Sequence, residues 1–375
     1  MRFPDDVPVL TDDIDTRLRL RAHTAADVEP AYLTCSDPEF QRWTTVPVPY
    51  ERHHAEHYLL DRIPAGWRDG GMWAWAIEWD GKFAGTIDLR DGRGHGGEVG
   101  FGAAPWARGQ GMMTRATRLV VRHAFDTSGW DVVIWRAFVG NWASRRVAWK
   151  VGFRNLVTAR LDGISRGVRH DEWVASVRAG EELVPQGRWL DIPVIEEQTF
   201  RLRPLADRDV DRVVEGTSDP RTFHWLAHLP LPYSPDDART WFAGARENAA
   251  SGEGVSWAIA DPVSDLLLGN VSVFRLGNDV GNEVGYWMHP DARGKGLMTA
   301  AVRRVVRHAF DELGCRRLFL RAAAGNTASR YVAEQAGFRH VGTDRLANGL
   351  RDGGFEDLLI FDLLNTDKAV VESAG

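Results

Sequence analysis

The sequence repeats itself, and that feature constrains the fold more than any other. The segment EVGFGAAPWARGQGMMTRATRLVVRHAFD, beginning at Glu98, recurs from Glu283 as EVGYWMHPDARGKGLMTAAVRRVVRHAFD. The match continues from GNWASRRVAWKVGF to GNTASRYVAEQAGF and ends at Phe153 and Phe338. At a constant offset of 185, 31 of 56 positions are identical, far more than chance allows over so long an ungapped block. Weaker echoes come earlier: LRLRAHTAADV at Leu18 matches FRLRPLADRDV at Phe200, and Ser36-Asp37-Pro38 with Trp43 matches Ser218-Asp219-Pro220 with Trp225. The 375 residues therefore predict two full-length copies, 1–180 and 199–375. Residues 181–198, with their prolines and acidic side chains, suit a linker.

Within each copy strand and helix signals alternate, which predicts an α/β layer architecture. In the second copy RLRPL reads as a strand, 207–216 and 235–251 as helices entered from Asp207 and Ser234-Pro235, and VSWAIA and LLLGNVSVFR as a strand pair. EVGYWM follows as a short strand. Beyond a glycine loop, Met298, Ala301, Val305 and Ala309 fall at helical spacing, as do Met113, Ala116, Val120 and Ala124 in the first copy. RRLFLRA is a buried strand, NTASRYVAEQA a helix capped by Asn326 and stopped by Gly337, and the last strands run near 338–345 and 355–364.

Composition excludes several classes. No stretch approaches eighteen consecutive apolar residues, and the first ten residues have neither a basic leader nor an apolar core, so a cytoplasmic address without a membrane span is expected. Two cysteines, Cys35 and Cys315, are too few for a disulfide framework or a cysteine-based zinc site. A net charge of −6 argues against nucleic acid. All of that charge lies in residues 191–375, with 21 basic against 27 acidic side chains, so the second copy is expected to offer an acidic surface to a cationic acceptor.

Aromatic and histidine clusters have two readings each. Of 16 tryptophans, 12 precede residue 190; Trp73, Trp75 and Trp79 alternate along a predicted strand and fit sheet packing, while Trp67, Trp106 and Trp142 are candidates for an aromatic acceptor surface. His53 and His57 have the spacing of a helical zinc pair beside His54 and Glu56, but no third ligand stands out, so a solvated helix face lining the acceptor site is simpler and no metal is expected. His123 and His308 are expected to serve helix-end carbonyls.

The chemistry-bearing motif is the loop between the EVGF/EVGY strand and the following helix, Arg108-Gly109-Gln110-Gly111 and Arg293-Gly294-Lys295-Gly296. Glycines let backbone N–H groups converge on an anion, and the helix adds its positive end, so the loop reads as a phosphate cradle. Glu98 and Glu283 stand upstream, either as bases toward an amine or as strand-edge partners of an ion pair. Asn141 with Ser144, repeated as Asn326 with Ser329, lie three apart at the start of a helix, where the serines are either functional hydroxyls or capping groups.

The pattern P-x-A-R-G-x-G, then G-N-x-A-S-R, closing at G-F, resembles the GCN5-related N-acetyltransferase (GNAT) superfamily and its RimJ/RimL-like branch over nearly the whole chain. The resemblance implies two tandem GNAT-like domains, each a mixed, mostly antiparallel sheet flanked by helices, with a splayed strand pair forming an acyl-CoA cleft. It implies a pyrophosphate site at Arg108, Gly109, Gln110, Gly111, Met112, Met113 and Thr114, and at Arg293, Gly294, Lys295, Gly296, Leu297, Met298 and Thr299. Trp287 and Met288, on the strand, and Asn141 and Asn326 would meet the pantetheine arm. The place that holds an acidic tyrosine in many members is Ala148 and Ala333, which leaves Ser144 and Ser329 to protonate the thiolate, with Glu98 and Glu283 as bases. The carboxylate this branch can carry after G-F is not evident: Asn348 stands near its place in the second copy, and the first shows no clear counterpart. The implied reaction is direct transfer of an acetyl group from acetyl-CoA to a primary amine, with the second copy preferred as catalyst. The alternatives are one degenerate copy or a non-catalytic acyl-CoA-binding regulator. The copies are expected to form an intramolecular pseudo-dimer in a monomer or homodimer.

Overall fold

Short apolar-alternating runs broken by glycine and turn residues dictate strands, and each copy supplies eight of them. The computed structural model describes residues 6–92, 94–226, 228–278 and 280–367; part of the N-terminal stretch read for a leader lies outside them. Contacts divide the chain into Met1–Gln186 and Gly187–Gly375. Among the described residues no helix is long and apolar enough to cross a membrane.

The N-terminal unit contains β1 (Leu10–Thr11), β2 (Leu18–Arg21), β3 (Met72–Trp79), β4 (Lys82–Asp91), β5 (Gly96–Ala103), β6 (Val132–Phe138), β7 (Arg154–Ser165) and β8 (Val168–Arg178). The C-terminal unit contains β9 (Ile195–Glu196), β10 (Arg201–Arg203), β11 (Gly254–Ala260), β12 (Leu267–Phe274), β13 (Asn282–Met288), β14 (Arg317–Ala323), β15 (Arg339–Gly349) and β16 (Phe355–Leu364). Both sheets have one topology, β1-β2-β3-β4-β5-β6-β8-β7 and its counterpart β9-β10-β11-β12-β13-β14-β16-β15. Every neighbouring pair is antiparallel except β5 with β6 and β13 with β14, which are parallel.

Those two parallel pairs come apart. β13 pairs with β14 only at Asn282↔Leu318 and Glu283↔Phe319, and β5 with β6 only from Gly96↔Val132 to Val99↔Trp135. Beyond these points each strand stays with its outer neighbour: β13 follows β12 to Met288, and β14 follows β16 to Ala323. A V-shaped gap opens in each sheet, edged by backbone groups that have no ladder partner across it and must find one elsewhere.

One long helix laid against each sheet supplies a large part of its core. In Leu297–Asp311 the expected stripe of Met298, Ala301, Val305 and Ala309 is buried, joined by Val302, Val306 and Phe310. In Met112–Asp126 the stripe holds at Ala116, Val120 and Ala124, but Met112 rather than Met113 is the buried methionine. Trp73, Trp75 and Trp79 are fully buried, so sheet packing accounts for them. Trp67 belongs to the same cluster and not to an acceptor surface: it stacks on Trp73 and meets Trp75 edge-on. His123 and His308 do not serve helix ends. His123 sits edge-on against Trp73 and Trp75, and His308 against Trp257, because both face the sheet from the inner side of their helices.

One half-buried histidine sets a pH limit. His23 bonds Thr86 Oγ1 through Nε2 at 3.1 Å while its Nδ1 has no partner. Burial holds its pKa down to about 4, with the Asp27 charge opposing and Arg21 reinforcing. The unfolded chain binds that proton near the ordinary value of about 6.5, so the contribution of neutral His23 to stability is complete above that pH and is lost between about 6.5 and 4 as pH falls. Urea unfolding across this window is expected to show His23→Leu losing less stability on acidification than the parent, by roughly 1.4 kcal/mol per unit of pKa difference; parallel curves would exclude His23 as the cause.

Candidate active site

The glycine loops lie at the open end of the two gaps. Gly109, Gly111, Gly294 and Gly296 have φ of +76°, +80°, +75° and +73°, a region that side-chain-bearing residues occupy at a cost. A Cβ added at any of the four meets nothing within 4 Å, so the space above the loop is open. Gly111 and Gly296 are the N-caps of Met112–Asp126 and Leu297–Asp311, and neither offers a side chain to the first-turn N–H groups. Unsatisfied donors, a positive helix end and empty space fit a pyrophosphate.

The loop arginines are already held. Arg293 Nη2 donates to Asp219 Oδ1 at 2.7 Å and to Thr222 Oγ1, and its Nε to Met288 O at 3.3 Å. Arg108 Nη2 donates to Asp37 Oδ1 at 2.5 Å and its Nε to Ala103 O at 3.2 Å. Asp37 and Asp219 also cap short helices through the N–H groups of Phe40 and Thr222. Burial works against both carboxylates, yet the arginine and the N–H hold them below the usual range. The repeated Ser-Asp-Pro motif thus anchors the arginine of each loop. Lys295 and Gln110 side chains turn back onto the Asp291 and Trp106 carbonyls.

Asn326 Oδ1 accepts the Ser329 N–H at 3.1 Å and Asn141 Oδ1 that of Ser144 at 3.2 Å, so each asparagine caps its helix and leaves its amide N–H groups for a ligand. The serine hydroxyls have different companions in the two units. Ser144 Oγ accepts from Trp135 Nε1 at 3.0 Å, which leaves its own proton free to donate. Ser329 Oγ lies 3.1 Å from the Tyr286 hydroxyl, which also donates to the Ser329 carbonyl. Burial pushes Tyr286 up to about 12, opposed by Ser329, so it stays a neutral donor at physiological pH. Glu283 is gripped by Arg321 through two bonds of 2.9 and 3.1 Å, and Glu98 accepts from Arg90 at 3.1 Å. Both carboxylates are therefore in ion pairs.

All twelve candidate residues of the C-terminal copy line one cleft of about 1340 Å³. In the N-terminal unit the equivalents, except Gln110, line a cleft of about 1010 Å³. Trp106 and Trp142 do not line it; Phe40 and Trp43 do, and His53, His54 and His57 stand away from it, with His53 against Glu51 and His57 against Asp61. Sequence reading missed Tyr286, although the Phe101/Tyr286 difference inside the repeat could have flagged it. It also missed the wall opposite the loop.

That wall differs most between the units. Matched through strand register, Asp88, Arg90, Arg136 and Glu172 stand where the C-terminal unit has Ser272, Phe274, Arg321 and Leu358. Leu161 and Leu346, each bonded through N–H to the equivalent aspartate, place Asp162 opposite Ala347. In the N-terminal cleft Arg136 reaches Asp162 at 2.7 Å, Glu98 at 3.5 Å and Glu172 at 3.6 Å, while Arg90 joins Asp88 to Glu98. Burial lifts the Glu172 carboxyl above its usual range, opposed by Arg136 and reinforced by Asp162 and Glu98. In the C-terminal cleft only the Glu283–Arg321 pair of this set is charged. The expectation of an acidic acceptor surface in the second copy is thus reversed at the cleft: its surplus acidic residues lie elsewhere, and the acidic wall belongs to the first.

A fold built on a splayed parallel pair, with a glycine loop and helix end at its mouth, defines an acyltransferase of the GNAT type. The acetyltransferase (GNAT) domain family matches residues 17–154 and 199–339, and the chain belongs to that family. Bacillus subtilis (strain 168) YdaF, provisionally named a ribosomal N-acetyltransferase, is 34% identical over 180 residues, 46% of this chain and 94% of its own. YjcK of the same organism, provisionally named an N-acetyltransferase, is 30% identical over 179 residues, 46% of this chain and 98% of its own. The solved structure of Mycobacterium smegmatis RimJ in complex with CoA-disulfide is 20% identical, covering 47% of this chain and 89% of its own, with a TM-score of 0.42.

Proposed function

We propose that the protein transfers an acetyl group from acetyl-CoA directly to a primary amine, with both units able to act. The observation that carries this reading is the gap in each sheet, which opens onto a glycine loop at one end and a serine hydroxyl on its flank. The loop glycines and the first N–H groups of the helix would hold the pyrophosphate, and the unpaired strand N–H groups would receive the pantetheine and polarise the thioester carbonyl. The amine nitrogen forms its bond to the carbonyl carbon as the C–S bond breaks. Its proton leaves through water toward Glu283 or Glu98, and Ser329 or Ser144 donates to the departing thiolate. YdaF's name points to a ribosomal-protein acceptor; small-molecule amines fit the same chemistry.

Thiol release from acetyl-CoA, run against peptide N-termini and small amines, tests the reading. Tight acetyl-CoA binding with no turnover on any amine would make the protein an acyl-CoA sensor instead. Ser144→Ala with Ser329→Ala is expected to lower kcat by about ten- to a hundredfold and leave KM for acetyl-CoA within about twofold, since the hydroxyl acts only as the thiolate departs. A proportionate rise in KM would reassign the serines to binding.

A further inference from the structure

We infer that the two clefts take different acceptors, and that the C-terminal cleft receives an amine carried on an apolar, ring- or chain-bearing body. This rests on the acetyl-transfer reading and names the substrate class of one of its two sites. Three differing wall positions carry it. Where Arg90, Asp162 and Glu172 line the N-terminal cleft, Phe274, Ala347 and Leu358 line the C-terminal one at the matching positions. Three ionisable groups have become none. Of the two carboxylates that line the C-terminal cleft, Glu283 has both oxygens accepting from Arg321, and Asp237 accepts from Ser234 through one oxygen.

The rest of the wall agrees. Trp225, Leu229, Tyr233 and Trp241 line the C-terminal cleft together with Phe274 and Leu358, and all six bound one cavity. Arg351, from the β15–β16 turn, bonds the Leu226 and Leu229 carbonyls and lies 3.5 Å over the Phe223 ring, so the segment carrying Leu229 is tied in place. A pocket of this kind removes apolar surface from water. It would also strip the additional ammonium groups of a polyamine of their water with only Asp237 to receive them, which is costly for each one left unpaired.

The full chain carrying Gly111→Val, which leaves the C-terminal cleft to load alone, is saturated with CoA and titrated calorimetrically with phenethylamine and with spermidine. Phenethylamine is expected to bind at least about tenfold more tightly than spermidine, since one ring's burial and one stranded ammonium each exceed that factor. Leu358→Glu, at a half-buried position, and separately Phe274→Arg are expected to remove the preference while CoA affinity stays within about twofold, the sign that the unit is folded. Equal binding of the two amines, or a preference untouched by both substitutions at unchanged CoA affinity, would overturn the inference. Preferential binding without acetylation of phenethylamine would uphold the cleft assignment and sink the transfer reading.

Discussion

Replacing Gly296 with valine is expected to halve the number of CoA molecules the chain binds in isothermal titration, from two to one, and Gly111→Val to do the same from the other unit. Gly296 sits at φ +73° at the N-cap of Leu297–Asp311. A β-branched residue in that left-handed conformation costs roughly 1–2 kcal/mol. Its Cβ would also enter the space, open to 4 Å, above the first-turn N–H groups. Losing even one charge-assisted bond to a phosphate costs a further ~1.5–3 kcal/mol. Together these weaken the site by about two to three orders of magnitude, enough to remove it from a micromolar titration. An unchanged stoichiometry in both variants would show that the loops do not hold the cofactor.

The second large effect is on stability. Arg203 grips Asp209 through two bonds of 2.7 and 2.8 Å, and the two side chains are only 5% and 2% exposed. Asp209 also accepts the Ala206 N–H. Asp209→Asn keeps the shape but leaves a buried guanidinium relying on Asp265, so a loss of about 3 kcal/mol is expected, at the lower end for breaking a buried pair. The N-terminal counterpart, Arg21 with Asp27, has the same two-bond grip, but its arginine is 19% exposed and also held by Glu78. Asp27→Asn is therefore expected to cost about half as much. Urea unfolding of the full-length variants checks the order; equal losses would show that burial does not set the cost.

These two examples mark how much was legible. The aligned LRLRAHTAADV and FRLRPLADRDV hold Arg21 with Asp27 and Arg203 with Asp209 at one spacing, and the Arg-Gly-x-Gly loops announce themselves because glycine conformation and helix capping are local. Local physics also placed Asn326 as a cap, put the Leu297–Asp311 stripe in the core and explained Trp73, Trp75 and Trp79 as sheet packing. Misreadings came where a side chain's surroundings are assembled from distant segments. Trp67 looked like a cleft residue, yet its ring completes a cluster with Trp73 and Trp75. His123 and His308 carry no mark in sequence of which helix face they occupy relative to the sheet.

The sequence by itself determined that two copies of one α/β domain exist, where each carries its Arg-Gly-x-Gly loop, and that both keep the asparagine and serine of the following helix start. Periodicity, glycine placement and capping are short-range properties, and duplication displays them twice. Tertiary structure alone decided what lines the wall of each cleft. Arg90 and Phe274, which precede the ungapped block beginning at Glu98 and Glu283, and Glu172 and Leu358, which follow its end at Phe153 and Phe338, correspond only through strand register. Net charge, a sum over the whole surface, pointed to the second copy as the acidic site. The wall of the cleft, set by five side chains brought together from three strands and a hairpin, assigns that character to the first.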